Sequence, residues 1–239
     1  MIPLYSLYTP SHEPLMREYF LPSVPPDLKL HLFHFENPGA GYIRDPSFCR
    51  AIIRKVEIIL QAIEENWGRT FVWSDVDVQF FRSFSEQVLL DEADMAFQVD
   101  APGPALCAGF FFCRAAERTK QVWLEVLEYV RDLRSGGDDQ LRLRELVQSN
   151  KDLRIEFLPP TFMGGGTFTG KIWQPGDDLS VPAEIVMHHA NFTIGVANKI
   201  AQCDLVRRKL QARQCVSYDE ACELTRTPWL FRPAEPAST

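Results

Sequence analysis

Two aspartates one residue apart lie within the apolar stretch FVWSDVDVQFF at residues 71–81. Carboxylates are costly to desolvate unless something compensates for their charge. In an extended strand the side chains alternate between two faces, which would place Asp75, Asp77 and Gln79 on the same face. Two neighbouring carboxylates repel each other unless a cation lies between them, and a hard divalent ion prefers such oxygen ligands. The pair predicts a metal site, with a solvated strand end or a turn as the alternative interpretation.

A second polar segment, MHHAN at residues 187–191, ends another apolar stretch with two histidines. An imidazole added to two carboxylates favours manganese over calcium, and magnesium is the other divalent candidate. The helix predicted next carries Gly195 and Lys199. Positive groups and backbone N–H groups near the start of a helix often bind phosphates. The two segments together therefore predict a divalent cation combined with a diphosphate group.

The elements that must position these residues follow from the alternation of strand and helix periods, which predicts an α/β fold. We expect one domain over residues 1–239, with a frayed tail at 230–239. Strands are predicted at residues 2–9, 28–35, 71–81, 94–99, 105–114, 154–159 and 184–191. Helices are predicted from an N-cap at Ser47 to a stop at Gly68, and at residues 117–133, 141–149 and 195–211. The segment TFMGGGTFTG at residues 161–170 is interpreted as a glycine-rich loop.

Composition limits the possible partners. The formal net charge of −7 gives no broad electrostatic basis for binding nucleic acid or an anionic membrane. No stretch approaches the roughly 18–20 apolar residues of a transmembrane helix, and the first residues lack the pattern of a signal peptide. Six cysteines without the spacing of a metal site favour free thiols in a reducing compartment. We therefore expect a soluble, cytoplasmic chain without a membrane segment.

Four segments occur in an order and at spacings that resemble the nucleotide-diphospho-sugar transferase family of GT-A glycosyltransferases. They are FVWSDVDVQFF, AGFFFCR, GGDDQ and HHANFTIGVANK. More distantly, they resemble the glycogenin and bacterial lipopolysaccharide galactosyltransferase group. The resemblance runs from the first predicted strand to about Gln202. It implies a GT-A fold, with a mixed and mostly parallel central sheet flanked by helices, and a nucleotide-sugar-dependent enzyme.

The resemblance assigns metal ligands to this chain. The DxD motif of the family matches Asp75 and Asp77, which would bind the metal, and Asp75 would also reach the donor ribose. The late histidine of the family matches His189 more naturally than His188, although the sequence does not separate the two. The implied metal site therefore consists of two carboxylates and one imidazole.

The resemblance also implies residues that contact the donor. Gly195 and Lys199 match positions that face the donor phosphates. Tyr8 and Thr9, at the end of the first strand, fall where such enzymes hold the nucleotide base. Lys55, on the helix before the DxD strand, matches a basic position that reaches the donor. Together with Asp75, these five residues are the expected donor-binding set.

The catalytic residues implied by the resemblance are Asp139 and Gln140, near the anomeric carbon of the donor sugar. Asp138 or Asp139 could instead cap the helix that begins near Leu141, since aspartate favours N-caps, and capping does not exclude a role in the site. One departure concerns Cys107, which stands where related enzymes often have asparagine before a small-residue–glycine pair. The identity of the donor sugar cannot be inferred from that position.

The implied reaction is metal-dependent transfer of a sugar from a nucleoside-diphosphate sugar to an acceptor hydroxyl, with retention of configuration. UDP is the expected nucleotide, Mn²⁺ the expected metal with Mg²⁺ as the alternative, and a carbohydrate, glycan or protein the acceptor. One alternative is a haloacid-dehalogenase-type phosphatase, which fits poorly because the motif lies deep in the chain and Gln79 replaces a threonine or valine. The other is a catalytically degenerate GT-A-fold binding module, which the retained aspartates, histidine and DQ pair argue against.

Overall fold

A six-stranded mixed sheet forms the centre of the protein. A computed structural model of the chain describes residues 1–37, 39, 45–85, 90, 92–100, 105–132 and 136–225. The strands are β1 Ile2–Tyr8, β2 Leu28–His34, β3 Thr70–Ser74, β4 Val78–Phe80, β5 Met95–Asp100, β6 Ala105–Arg114, β7 Ile155–Phe157, β8 Phe162–Gly164 and β9 Met187–His189. The helices are α1 Glu13–Leu15, α2 Pro46–Glu65, α3 Glu117–Arg131, α4 Asp139–Ser149, α5 Gly165–Thr169, α6 Val196–Gln211 and α7 Tyr218–Thr225. Short helical turns at Pro10–His12, Met16–Phe20 and Leu21–Ser23 flank α1.

The strand order in the central sheet is β2-β1-β3-β6-β5-β7. Strand β1 pairs in parallel with β2 and β3, and β5 pairs in parallel with β7. Strand β6 is antiparallel to both of its neighbours, β3 and β5. Three of these five pairings are parallel, which confirms the predicted mixed and mostly parallel sheet.

Apolar side chains fill both faces of the central sheet, because neighbouring residues of each strand point to opposite sides. On one face, Phe71 and Trp73 belong to a buried cluster with residues of α2, α3 and α4. On the other face, Val72 packs with Met16 and Phe20 of the N-terminal helical turns, and with residues of β4, β8 and β9. The sheet is therefore covered on both sides, as expected for an α/β protein.

A smaller three-stranded sheet, in the order β4-β9-β8, lies beside the central one. Strand β3 ends at Ser74, and the chain turns at Val76 and Asp77 before β4 begins. The prediction of one continuous strand through both aspartates is therefore wrong. The physical reason is that β3 belongs to the central sheet and β4 to the smaller sheet, so the chain must change direction between them. Gln79 consequently does not share a face with the aspartates.

Aspartate side chains cap two helices near the site. The carboxylate of Asp45 accepts hydrogen bonds from the backbone N–H groups of Ser47 (2.6 Å) and Phe48 (3.3 Å), so α2 begins at Pro46. The predicted N-cap at Ser47 is wrong by two positions, because proline occupies the first helical position readily. At α4, the carboxylate of Asp138 accepts from the backbone N–H of Leu141 at 2.8 Å. Asp138 is therefore the cap, which leaves the Asp139 side chain for other contacts.

The glycine triplet at residues 164–166 is not a loop, because it ends β8 and begins α5. A Cβ atom placed on Gly165 would lie 2.6 Å from the side-chain oxygen of Gln202. A Cβ atom on Gly166 would lie 2.8 Å from the Cβ of Phe192. The glycines therefore permit close packing, and the predicted loop is wrong in this region.

The late strand is shorter than predicted, since only Met187–His189 of residues 184–191 forms β9. The predicted tail at 230–239 and the predicted helix end at Leu133 lie outside the described residues. Within the part of the chain that the structure describes, no helix combines the length and apolarity needed to cross a bilayer. All six cysteines are free thiols, and four of them are buried.

Candidate functional site

Three predicted metal ligands meet where the two sheets adjoin. Asp75, Asp77 and His189 each offer one ligand atom, and these atoms all lie within 4.8 Å of one another. The turn after β3 carries both aspartates, and the pairing of β4 with β9 places His189 opposite Val78. Asp77 Oδ1 lies 3.3 Å from His189 Nε2. Two carboxylates and one imidazole form a donor set that suits manganese and related divalent ions.

The orientation of the His189 ring is set by Gln98 on β5. His189 Nδ1 lies 2.8 Å from the side-chain oxygen of Gln98, which can only accept, so Nδ1–H is the donor. Nε2 is then the ring nitrogen that faces Asp77, and it can bind a metal ion once its own proton is displaced. Burial alone would lower the pKa of His189, but the Asp77 carboxylate outweighs burial and raises this pKa to about 10. The environment of the ring therefore favours the protonated imidazole, so a bound metal ion would have to take the place of that proton.

His188 points away from this cluster. Its Nδ1 lies 3.2 Å from the side-chain nitrogen of Gln79, and its Nε2 lies 3.0 Å from the side-chain oxygen of Gln202. Burial lowers the pKa of His188 to about 3, so the ring is neutral at physiological pH. Gln202 in turn donates to Thr193 Oγ1 at 2.8 Å. His188 is thus held in a buried hydrogen-bonded chain, and His189 is the histidine that approaches the aspartates.

Lys199 brings a positive charge into the cluster from the first turns of α6. Its ammonium group bonds Asp77 Oδ2 and also donates to the backbone oxygen of Ala190 at 3.3 Å. Burial alone would raise the pKa of Asp77, but Lys199 and His189 hold this pKa well below its ordinary value. Gly195 is the N-cap of α6, with a φ of 87° that favours glycine, and a Cβ atom there would meet open space.

Lys55 lies buried between two carboxylates instead of projecting freely toward a ligand. Its Nζ lies 3.0 Å from Asp139 Oδ2 and 3.6 Å from Asp75 Oδ1. Trp73 supports this arrangement, since its ring centroid lies 5.7 Å from Lys55 Nζ and its Nε1–H donates to Asp75 Oδ1 at 2.9 Å. Burial raises the pKa of Asp139, although the Lys55 ammonium opposes this effect. Lys55 therefore links the predicted catalytic residue Asp139 to the predicted metal ligand Asp75.

Gln140 follows Asp139 on α4, and both ends of its side-chain amide are hydrogen-bonded. Its oxygen accepts from the backbone N–H of Ala108 at 2.9 Å, and its nitrogen donates to Asp100 Oδ2 at 2.6 Å. Asp100 also accepts from the side-chain nitrogen of Asn191 at 3.2 Å. Gln140 is thereby connected to the segment that directly follows His189.

Tyr8 and Thr9 lie at the carboxyl end of β1, as predicted. The Tyr8 ring lies beside His34, with ring centroids 4.9 Å apart. Thr9 Oγ1 lies 3.1 Å from Ser11 Oγ and 3.3 Å from His12 Nδ1. Among the described residues, no hydrogen bond or ion pair joins Tyr8 or Thr9 to the three-residue cluster.

Several residues near the cluster carry no signal that the sequence analysis used. His12 lies within electrostatic reach of the site, because the lowering of its pKa by burial is reinforced by Lys199 and opposed by Asp77. The lack of a side chain at Gly109 leaves room for Asp75 and His189. A Cβ atom there would lie 2.9 Å from Asp75 Oδ2 and 3.0 Å from His189 Nε2. Gln98 and Asn191 are the others. Gln98, like His12, is a single polar residue outside any recognisable motif, whereas Asn191 lies in the MHHAN segment but was assigned no role there. Of these residues, only Gly109 could have been found from the sequence. A glycine inside a predicted buried strand often marks a place where another group approaches the backbone closely.

Comparisons with known proteins bear on the sequence family and on the fold. A family model described as nucleotide-diphospho-sugar transferase matches residues 31–202. The structure is similar to a crystal structure titled as a glycosyltransferase involved in the glycosylation of the major capsid of PBCV-1, with 13% identity and a TM-score of 0.58. That match covers 85% of this chain and 98% of the other. A crystal structure of the glycosyltransferase GlyE from Streptococcus pneumoniae TIGR4 is similar at 12% identity and a TM-score of 0.54, covering 89% of this chain and 64% of the other. A comparison with curated protein sequences gives no significant match.

Proposed function

The chain belongs to the nucleotide-diphospho-sugar transferase family and has a GT-A fold, and from this premise we propose a specific reaction for it. The protein transfers a sugar from a UDP-sugar to an acceptor hydroxyl, in a metal-dependent reaction that retains the anomeric configuration. The observation that carries this proposal is the convergence of Asp75, Asp77 and His189, whose ligand atoms lie within 4.8 Å of one another. The acceptor hydroxyl belongs to a carbohydrate, a glycan or a protein.

Asp75, Asp77 and His189 would hold the divalent cation, Mn²⁺ in preference to Mg²⁺ because an imidazole nitrogen joins the two carboxylates. When bound, the cation neutralises the negative charge that builds on the departing UDP. Gln98 holds the His189 ring so that Nε2 would bind the cation once it has lost its proton. The side chain of Asp77 is only 8% exposed, and such burial strengthens its interaction with positive charge.

Lys199 and Gly195 would bind the donor diphosphate. The Lys199 ammonium already contacts Asp77, so it lies beside the proposed metal ligands. Gly195 leaves open space at the start of α6, where backbone N–H groups favour an approaching phosphate. Tyr8 and Thr9 would take the nucleotide base at the end of β1.

Asp139 and Gln140 would act at the donor sugar, on the first turn of α4. Lys55 contacts both Asp139 and Asp75, so it would stabilise charge in the site through these carboxylates. The hydrogen bond from Ala108 to Gln140 fixes the Gln140 amide against β6, next to Gly109. These contacts support a rigid sugar-binding region, which is what efficient positioning of the reacting atoms requires.

The phosphatase alternative is set aside because the chain belongs to a sugar transferase family over residues 31–202. The binding-module alternative differs from the proposal in whether the chain must bind UDP together with a metal. A transferase of this kind must bind UDP, and the binding must depend on the metal if Asp75, Asp77 and His189 are its ligands. A module that has lost the activity has no such requirement.

Isothermal calorimetry of UDP with the folded chain, with and without Mn²⁺, tests the proposal. We expect binding in the presence of Mn²⁺ and a large loss of affinity with a chelator. A screen of UDP-sugars for hydrolysis then identifies the donor. No UDP binding in either condition, by a protein whose circular dichroism shows it folded, would overturn the proposal and favour the binding module.

Gln140→Ala should spare UDP binding and slow turnover. The substitution removes the bonds to Ala108 and Asp100 without touching the proposed metal ligands. We expect the dissociation constant for UDP with Mn²⁺ to change less than about twofold, and kcat for donor hydrolysis to fall by roughly tenfold or more. Gln148→Ala, on the exposed side of the same helix, is the matched control. Unchanged turnover in Gln140→Ala would remove Gln140 from the proposed site.

A further inference from the structure

Asp100, at the carboxyl end of β5, connects two side-chain amides that approach it from different parts of the chain. It is buried, with 2% of its surface exposed. Its Oδ2 accepts from Gln140 Nε2 at 2.6 Å and lies 3.5 Å from the guanidinium of Arg144. Its Oδ1 accepts from Asn191 Nδ2 at 3.2 Å. Each oxygen of the Asp100 carboxylate therefore accepts a hydrogen bond from a different amide.

Each of these amides has a second hydrogen bond, which fixes its orientation. The oxygen of Gln140 accepts from the backbone N–H of Ala108 at 2.9 Å. The oxygen of Asn191 accepts from the backbone N–H of Gly166 at 2.9 Å. Because a backbone N–H can only donate and an ionised carboxylate can only accept, neither amide can flip without losing both bonds.

Both amides are tied to segments that lie close to the proposed metal ligands. Ala108 precedes Gly109, the residue whose missing side chain leaves room for Asp75 and His189. Asn191 is two residues after His189, in the connection to α6. The carboxylate of Asp100 thus ties α4, which carries Gln140, to the segment that carries His189.

We propose that Asp100 is a positioning residue for the reaction, acting by holding Gln140 and Asn191 in a single arrangement around the donor sugar. The inference rests on the proposed function, since it assigns Asp100 to the sugar side of that same site. Asp100 does not contribute to holding the metal or UDP in this account. Its loss should therefore change turnover and leave the binding of UDP and Mn²⁺ in place.

An exchange of carboxylate and amide between residues 100 and 191 gives a sharp test. In Asp100→Asn, an NH₂ group must face one of the two amide nitrogens, so one of these hydrogen bonds is lost. In Asn191→Asp, two buried carboxylates face each other. In the double variant, the amide introduced at position 100 donates to the carboxylate introduced at position 191, and its oxygen still accepts from Gln140. The second carboxylate oxygen at position 191 keeps the bond from Gly166, so the hydrogen bonds of Gln140, of Gly166 and between residues 100 and 191 are all retained.

UDP release from UDP-glucose and UDP-galactose is measured for each variant, together with calorimetry of UDP with Mn²⁺ and thermal unfolding. We expect Asp100→Asn to lower kcat by about tenfold or more while the UDP dissociation constant stays within about twofold of the wild-type value. The double variant should recover kcat to within about threefold of wild type, and should recover the thermal midpoint lost in each single variant.

Asp94→Asn is the matched control, because Asp94 lies next to the other end of β5 and accepts from Arg118 and from the backbone N–H of Arg154. It should lower the thermal midpoint without lowering kcat. Asp100→Asn with normal kcat, or a double variant that recovers neither kcat nor midpoint, would overturn the proposal. If the wild type binds no UDP and releases none from the UDP-sugars, the proposed function fails. In that case the thermal midpoint of the double variant still decides whether Asp100 orients the two amides.

Discussion

Replacing Asp77 with alanine is expected to abolish the Mn²⁺-dependent binding of UDP, lowering the affinity by more than about a hundredfold. Asp77 is the most strongly connected of the proposed ligands, because its two oxygens contact His189 and Lys199 separately. The positive groups around it hold its pKa well below the ordinary value, so a carboxylate is present across the physiological pH range. Its removal leaves an imidazole and an ammonium group facing the site without the counter-charge that would attract a cation. Calorimetry of UDP with Mn²⁺ measures the effect.

Asp77→Asn separates loss of the ligand from loss of the fold, because the amide keeps the shape of the side chain. It should also lose metal-dependent binding, while circular dichroism and thermal unfolding show a folded chain. Asp178→Asn, which makes the same substitution at an exposed carboxylate paired with Lys209, should bind UDP as the wild type does. Wild-type affinity in a folded Asp77→Asn variant would contradict the assignment of Asp77 as a metal ligand.

Elements with a strong apolar pattern were predictable from the sequence. The run ALCAGFFFCR gives β6 with the predicted bounds, because nine of its ten residues are buried and a fully buried strand appears as a continuous apolar segment. The short strands of the second sheet could not be predicted in the same way. Strands β4, β8 and β9 contain three residues each, too few for a period to be recognised. Their existence depends on contacts with one another.

The identity of the proposed metal ligands was predictable, because these polar residues interrupt apolar segments. The geometry that brings their side chains together was not predictable. The two aspartates converge through a turn at Val76 and Asp77 instead of through the face of one strand. Gln98, which orients His189, lies 91 residues before it. Asp100 and Asn191 are separated by the same distance in the sequence. Such pairs form only once the sheet has assembled, so a local sequence pattern carries no trace of them.

Lys55 shows how a resemblance can identify a residue while its surroundings decide what it does. The family resemblance implies that Lys55 is a basic residue that reaches the donor. The neighbouring apolar positions Ile52, Val56 and Ile59 place Lys55 on the inward face of α2, where only 5% of its surface is exposed. A buried ammonium group requires partners, and Asp139 and Asp75 supply them. Its effect on a bound donor would therefore pass through these two carboxylates.

Lys55→Met should be the most destabilising of the single substitutions considered for the site. Methionine has a similar length but no charge, so Asp139 would remain buried without its ammonium partner. Removing one member of a buried ion pair costs about 3–5 kcal/mol of unfolding free energy, which urea denaturation followed by circular dichroism measures directly. Burial already raises the pKa of Asp139, and loss of Lys55 should raise it further. The loss of unfolding free energy in Lys55→Met should therefore be larger at about pH 8 than at about pH 5, because Asp139 takes up a proton in the folded state as the pH falls.

The double variant Lys55→Met with Asp139→Asn tests the cause of this destabilisation. It removes both charges of the pair that lie 3.0 Å apart, so it should be more stable than Lys55→Met alone, and its stability should vary less between these pH values. Lys120→Met, which breaks an ion pair with Glu64 on the surface of α3, should leave the urea midpoint nearly unchanged. A Lys55→Met protein as stable as the wild type, or one that Asp139→Asn destabilises further, would contradict the account of Lys55 as the counter-charge of the buried Asp139 carboxyl group.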